Sequence, residues 1–193
     1  SSLMAQTNLK TACNNLINGE HKVCGLTRAD DAIEASRLGA SFGGLIFVDS
    51  SPRYVNIENA GQIITETHKQ IPLKFVAVVK DPPLEFVQRL IDTLEISAIQ
   101  LHGNEQQKFV EQVRNYIEQK QKRIQVWQVL GVNVDGQLPM QWPVADRVLL
   151  DTKTADGKNG GTGKTFDWTQ LTSLPLATPP IMLAGGLNPN NIQ

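Results

Sequence analysis

The segment 149–168, LLDTKTADGKNGGTGKTFDW, sets an aspartate at the end of an apolar run and four glycines, 157, 160, 161 and 163, in the loop behind it. Glycine reaches backbone conformations closed to other residues, so such a loop can turn several N–H groups toward one anion. A helix expected from near Phe166 would add the partial positive charge of its N-terminus. Phosphate is the guest that suits this arrangement. A second glycine pair, Gly185 and Gly186, ends the apolar run PIMLAGG. Barrel enzymes often hold phosphate between late strand-to-helix loops, so two late glycine turns support each other. The GKT at 163–165 does not complete a nucleotide P-loop, because that pattern puts glycine at 158, where Lys158 stands.

Polar or glycine residues close most of the other apolar runs too. The runs are KVCG (22–25), GGLIFV (43–48), KFVAVV (74–79), AIQLHG (98–103), IQVWQVL (124–130), DRVLLD (146–151) and PIMLAGG (180–186). They are apolar throughout rather than alternating, as parallel strands buried on both faces are. Amphipathic stretches lie between them. Helices are expected over 27–39, from a Thr27 cap to Gly39, and over 57–70, 83–95 and 104–119, with a weaker segment at 135–142. Strict strand–helix order makes this an α/β protein. The spacing of roughly 20–30 residues points to a (β/α)8 TIM barrel with seven βα units present and the eighth truncated. A doubly wound sheet is the alternative. Only a barrel brings Cys24, His102, Asp151 and the Gly185-Gly186 turn to one mouth. Residues 5–20 read as a helix ahead of the first strand.

Composition narrows the function classes. The chain has 193 residues and a formal net charge of −1, which gives no support for a nucleic-acid or membrane partner. No apolar run of about 20 residues is present to span a bilayer. His21, His68 and His102 are scattered, and Cys13 and Cys24 have no CxxC spacing, so no metal site is expected. Two cysteines fit a reducing, cytoplasmic setting. The chain opens at Ser1 and stops at NPNNIQ, so both ends read as cut.

Six motifs in register resemble the phosphoribosylanthranilate isomerase family: KVCGLTR (22–28), SPRYV (51–55), QLHGNE (100–105), LLD (149–151), GGTGKTFDW (160–168) and LAGGLNPNN (183–191). Residues 1–20 resemble the last strand end and last helix of indole-3-glycerol-phosphate synthase. The resemblance therefore implies an isomerase barrel over 21–193, fused behind a synthase barrel whose tail is 1–20. It implies an Amadori rearrangement of N-(5'-phosphoribosyl)anthranilate to 1-(o-carboxyphenylamino)-1-deoxyribulose 5-phosphate in tryptophan biosynthesis, with no cofactor. It makes Cys24 the general base and Asp151 the general acid. Arg53 would grip the anthranilate carboxylate, His102 would line the substrate, and Gly160, Gly161, Thr162, Gly163, Gly185 and Gly186 would hold its phosphate. A free thiol is mostly protonated at neutral pH, so the base needs a nearby cation, for which Arg53 is the candidate. A non-catalytic phosphosugar-binding barrel, or one acting like the synthase, is the competing reading. Synthases use lysine and glutamate on their strands, whereas these strand ends carry Cys24 and Asp151.

Overall fold

The computed structural model describes residues 13–15, 21–132, 145–152 and 181–184, with side chains over 21–130 and 145–149. Eight strands form one sheet in strictly sequential order. They are β1 (Cys13–Asn15), β2 (His21–Val23), β3 (Phe42–Ile46), β4 (Lys74–Val79), β5 (Ala98–Leu101), β6 (Gln125–Val132), β7 (Arg147–Thr152) and β8 (Ile181–Ala184). From β2 to β8 every neighbouring pair is parallel. The described helices are α1 (Ala29–Arg37), α2 (Ile57–His68), α3 (Leu84–Thr93) and α4 (Gln107–Gln119), one after each of β2 to β5. The protein is thus α/β. Sequential order rules out the doubly wound alternative, whose strand order reverses at a switch point. The segments 135–142 and the helix expected near Phe166 lie outside the described residues.

Alternation along β2 to β7 sorts the described side chains into two cores. One set, including Leu45, Phe75, Ala77, Ile99, Leu101 and Val126, packs under the helices. The other set is Phe42, Val76, Ala98, Trp127, Val129 and Leu149, and it packs on the opposite face of the sheet. The second set shows that the sheet curls. Phe42 on β3 and Trp127 on β6 are three strands apart, yet their rings meet edge to face with centroids 5.0 Å apart. Arg147 of β7 sits over both rings, at 5.4 Å and 5.2 Å. Cα atoms of β1 and β8, the two ends of the sheet order, approach within 8 Å.

Local chemistry corrects two expectations. The N-cap of α1 is Arg28 rather than Thr27, and it makes no side-chain capping bond. The helix does end where glycine permits: Gly39 has φ +99, and Ala40 N–H donates back to the Ala35 carbonyl at 2.9 Å. The second correction concerns the helix expected over 5–20. At Cys13–Asn15 the chain is a strand, antiparallel to β2, with Cys13 opposite Val23. An unpaired edge of β2 would leave its backbone groups without partners, and this pairing supplies them in spite of a helix-like sequence pattern.

The ring contact across the lumen generates a stability prediction. Trp127 is fully buried, and Trp127→Ala lowers the unfolding free energy by roughly 3–5 kcal/mol, read from urea titration. Leu38, 54% exposed, serves as the control, and Leu38→Ala changes stability by less than about 0.5 kcal/mol. Equal losses in the two variants would mean that the lumen rings do not hold the sheet together.

Candidate active site

Cys24 directly follows β2, two residues beyond Lys22, so both belong to the same face of the strand. Lys22 pairs with Phe42 of the lumen core, which turns this face into the lumen. The Cys24 thiol is free and half-buried. It lies against the backbone of β3: a methyl added at Gly44 would sit 2.6 Å from Cys24 Sγ. Beyond it, Gly25 and Leu26 N–H groups both donate to the Gly44 carbonyl at 3.0 Å. Gly25 has φ +82, which favours glycine, and a Cβ there would collide with Arg53 Cδ at 2.4 Å. The Arg53 side chain therefore lies across the turn that follows Cys24.

Lys22 is the unexpected member. Its side chain is completely buried, and Nζ donates to Gln100 Oε1 of β5 on the far side of the lumen. The Cys24 side chain is near enough to act on its charge. Burial pushes the ammonium below the ordinary lysine value, while the charge and hydrogen bond of Cys24 act in the opposite sense. Neither Lys22 nor Gln100 was singled out from the sequence. The signal was present as polar residues two places before Cys24 and His102 in otherwise apolar runs, KVC and QLH.

His102 stands at the mouth end of β5, half-buried, its backbone N–H donating to the Val79 carbonyl at 2.8 Å. Burial first, then the charges of Lys22 and Lys80, hold the imidazole below its ordinary value. At neutral pH it is therefore an uncharged donor–acceptor.

The loops after β4 and β5 lock together beside the mouth. Asp81 N–H and Gly103 N–H donate to the two oxygens of Glu105, at 2.8 Å and 2.9 Å. Asn104 N–H donates to Asp81 Oδ1 at 2.8 Å. A Cβ at Gly103 would lie 2.5 Å from Asp81 Oδ1, so this approach requires glycine.

The structure brings Cys24, Arg53 and His102 to one region. Asp151 lies within β7, opposite Gly131 and Ala184 and two places beyond the lumen residue Leu149. Gly160, Gly161, Thr162, Gly163, Gly185 and Gly186 lie outside the described residues. No helix among the described residues is long and apolar enough to cross a membrane.

Several known proteins are similar to this chain. The tryptophan biosynthesis protein TrpCF of Yersinia pestis is 41% identical over 191 residues, 99% of this chain. The chain spans only 37% of that relative's length. A phosphoribosyl anthranilate isomerase from Thermus thermophilus superposes with a TM-score of 0.69 at 30% identity, covering 88% of this chain and 78% of the other. Another phosphoribosyl anthranilate isomerase, solved in complex with reduced 1-(o-carboxyphenylamino)-1-deoxyribulose 5-phosphate, gives 0.63 at 27% identity over 88% and 77%. Residues 21–193 match the family described as N-(5'phosphoribosyl)anthranilate (PRA) isomerase, and the chain belongs to that family.

Proposed function

We propose that this chain catalyses the Amadori rearrangement of N-(5'-phosphoribosyl)anthranilate to 1-(o-carboxyphenylamino)-1-deoxyribulose 5-phosphate, in the cytoplasm and without a cofactor. The observation that carries the reading is the seat of Cys24, a free thiol at the lumen mouth with Lys22 beside it, Arg53 across the next turn and His102 at the end of β5. A proton donor, here Asp151, protonates the ribose ring oxygen, and the ring C–O bond breaks to give a Schiff base. Cys24 thiolate then takes the C2 proton, and the electron pair left behind forms the enolamine double bond. The enolamine then takes a proton at C1 and loses the one on its C2 hydroxyl, which gives the ketone. Arg53, by paired hydrogen bonds, suits the anthranilate carboxylate. Neutral His102 offers the substrate a hydrogen bond. Gly160, Gly161, Thr162, Gly163, Gly185 and Gly186 suit the phosphate.

The architecture proposed for this chemistry is a (β/α)8 barrel with seven βα units in 21–193 and the eighth beyond them, supported by the sequential parallel order of β2 to β8. The share of the Yersinia relative that the chain covers supports covalent fusion to an indole-3-glycerol-phosphate synthase domain, with 1–20 as that domain's tail.

In the full-length protein, Cys24→Ser and Asp151→Asn each lower kcat by roughly 10²–10⁴ while KM changes little, measured by loss of substrate fluorescence. Near wild-type turnover in either variant removes that residue from the mechanism. Tight substrate binding with no turnover by the parent protein would favour a non-catalytic phosphosugar barrel.

Arg53→Lys keeps the charge but loses the planar fork, so it raises KM by about tenfold with kcat nearly unchanged. An unchanged KM would place the carboxylate elsewhere.

His102 also gives stability a pH dependence. The folded chain disfavours the imidazolium, and the unfolded chain binds that proton at the ordinary value near 6.5. The contribution is complete above about pH 6.5 and is lost as pH falls from there toward the lowered folded value. His102→Gln flattens the urea midpoint against pH in that window. A curve with the parent's slope would assign the acid sensitivity to another group.

A further inference from the structure

We infer that Gly44 is a positioning residue of this site: the bare backbone it leaves in β3 is the seat of the Cys24 sulfur and sets where that sulfur stands in the lumen. Its part in turnover rests on the isomerase reading proposed above, but the seat itself does not.

Register puts the two residues side by side. Lys22 pairs with Phe42 and Val23 with Gly43, so the next step along both strands brings Cys24 level with Gly44. Gly44 is two places beyond the lumen residue Phe42 and therefore faces the lumen too. Its partner on the other side, Val76 of β4, belongs to the same lumen set. At this level the wall runs from a thiol, past a bare backbone, to a buried valine. The gap is taken up by sulfur: a Cβ at Gly44 would lie 2.6 Å from Cys24 Sγ, 3.1 Å from Cys24 Cα and 3.4 Å from Cys24 Cβ. Non-bonded heavy atoms settle at about 3.5–4.0 Å. The two carbons can be accommodated by shifts of a few tenths of an ångström, but the sulfur has to leave its place.

The backbone behind the thiol is held by the same residue. Gly25 and Leu26 N–H groups both donate to the Gly44 carbonyl at 3.0 Å, and the stem of Arg53 lies across that turn. With the turn fixed, the sulfur is left with rotation about χ1 and its staggered positions. The empty side of Gly44 admits the one against the β3 wall. Transfer of the C2 proton needs Sγ at about 3–3.5 Å from that carbon, and a misplacement of about 1 Å can cost about 10²-fold in rate. Gly44 therefore acts through Cys24 and not on the substrate.

The test compares alanines at two adjacent positions of β3 in the full-length protein. Gly43 faces the helix side, where a Cβ would meet Leu26 Cδ1 at 2.6 Å and Leu73 Cδ2 at 3.0 Å. Gly43→Ala is thus an overpacking change of similar severity that spares the thiol. Gly44→Ala lowers kcat by about tenfold to a hundredfold with KM nearly unchanged, whereas Gly43→Ala lowers the urea midpoint but keeps kcat within about twofold. Parent-like kcat in Gly44→Ala, or an equal kcat loss in both variants, overturns the positioning role. The seat is also read without substrate, by a double-mutant cycle on the urea midpoint. Cys24→Ala removes the sulfur and recovers most of the midpoint that Gly44→Ala loses. If Gly44→Ala alone does not fold, the variant carrying both changes does. A loss that persists without the sulfur lies with the backbone and overturns the seat. The two readings separate cleanly: a coupled cycle in a protein whose parent converts no phosphoribosylanthranilate keeps the seat and refutes the isomerase. Turnover by the parent with an uncoupled cycle does the reverse.

Discussion

A polar group inside a curled parallel sheet has only the opposite wall to answer it, and the hydrogen bond from Lys22 to Gln100 is that answer. Backbone donors and acceptors of the strands are already committed to neighbouring strands, and helices cover the other face. Whatever charge the lumen contains must therefore be met by side chains reaching across it. The rest of the mouth is arranged on top of this bridge. Cys24 comes one alternation above Lys22, and His102 one alternation above Gln100. Phe42 is paired in register with Lys22 and Trp127 with Gln100, their rings meet, and Arg147 stacks on both.

The sequence discloses most of this order, because strand existence is written in long apolar runs. All seven runs from 22 to 186 contain strands of the sheet. The helices after β2 to β5 also fall where amphipathic stretches predict them, with ends shifted by a residue or more. Strand-end residues were legible for a related reason: in a barrel a polar residue closing an apolar run has one place to go. Lys22 was less visible. A lysine opening a short run reads as a solvated flank until the sheet curls and brings up a glutamine 78 positions away. The pairing of Cys13–Asn15 with β2 was equally hidden, since local pattern favours a helix there and only the open edge of β2 asks for a strand. The capping error at Thr27 is smaller in kind, as cap geometry depends on the path of the preceding turn.

Glycine marks the positions where the mouth is tightest. At Gly44 the backbone of β3 yields room to a sulfur, and at Gly25 the turn yields room to the stem of an arginine. At Gly103 it admits a carboxylate that belongs to the neighbouring loop. These are three contacts between elements distant in sequence, and each would be blocked by a single methyl. The requirement comes from neighbours and not from the glycine's own turn alone, and so runs of glycine in the sequence do not by themselves reveal it.

The division of β2 to β7 into a helix-facing set and a lumen-facing set has a consequence for how such a protein can change over generations. Residues such as Phe75, Leu101 and Val126 hold the helices to the sheet without facing the lumen. Residues one place along, such as Lys22 and Gln100, face the chemistry and touch little of that outer packing. Substitutions on one parity can therefore accumulate with limited effect on the other, and distant sites add nearly independently. A lineage can rewrite its catalytic repertoire on one face of each strand while inheriting its scaffold on the other.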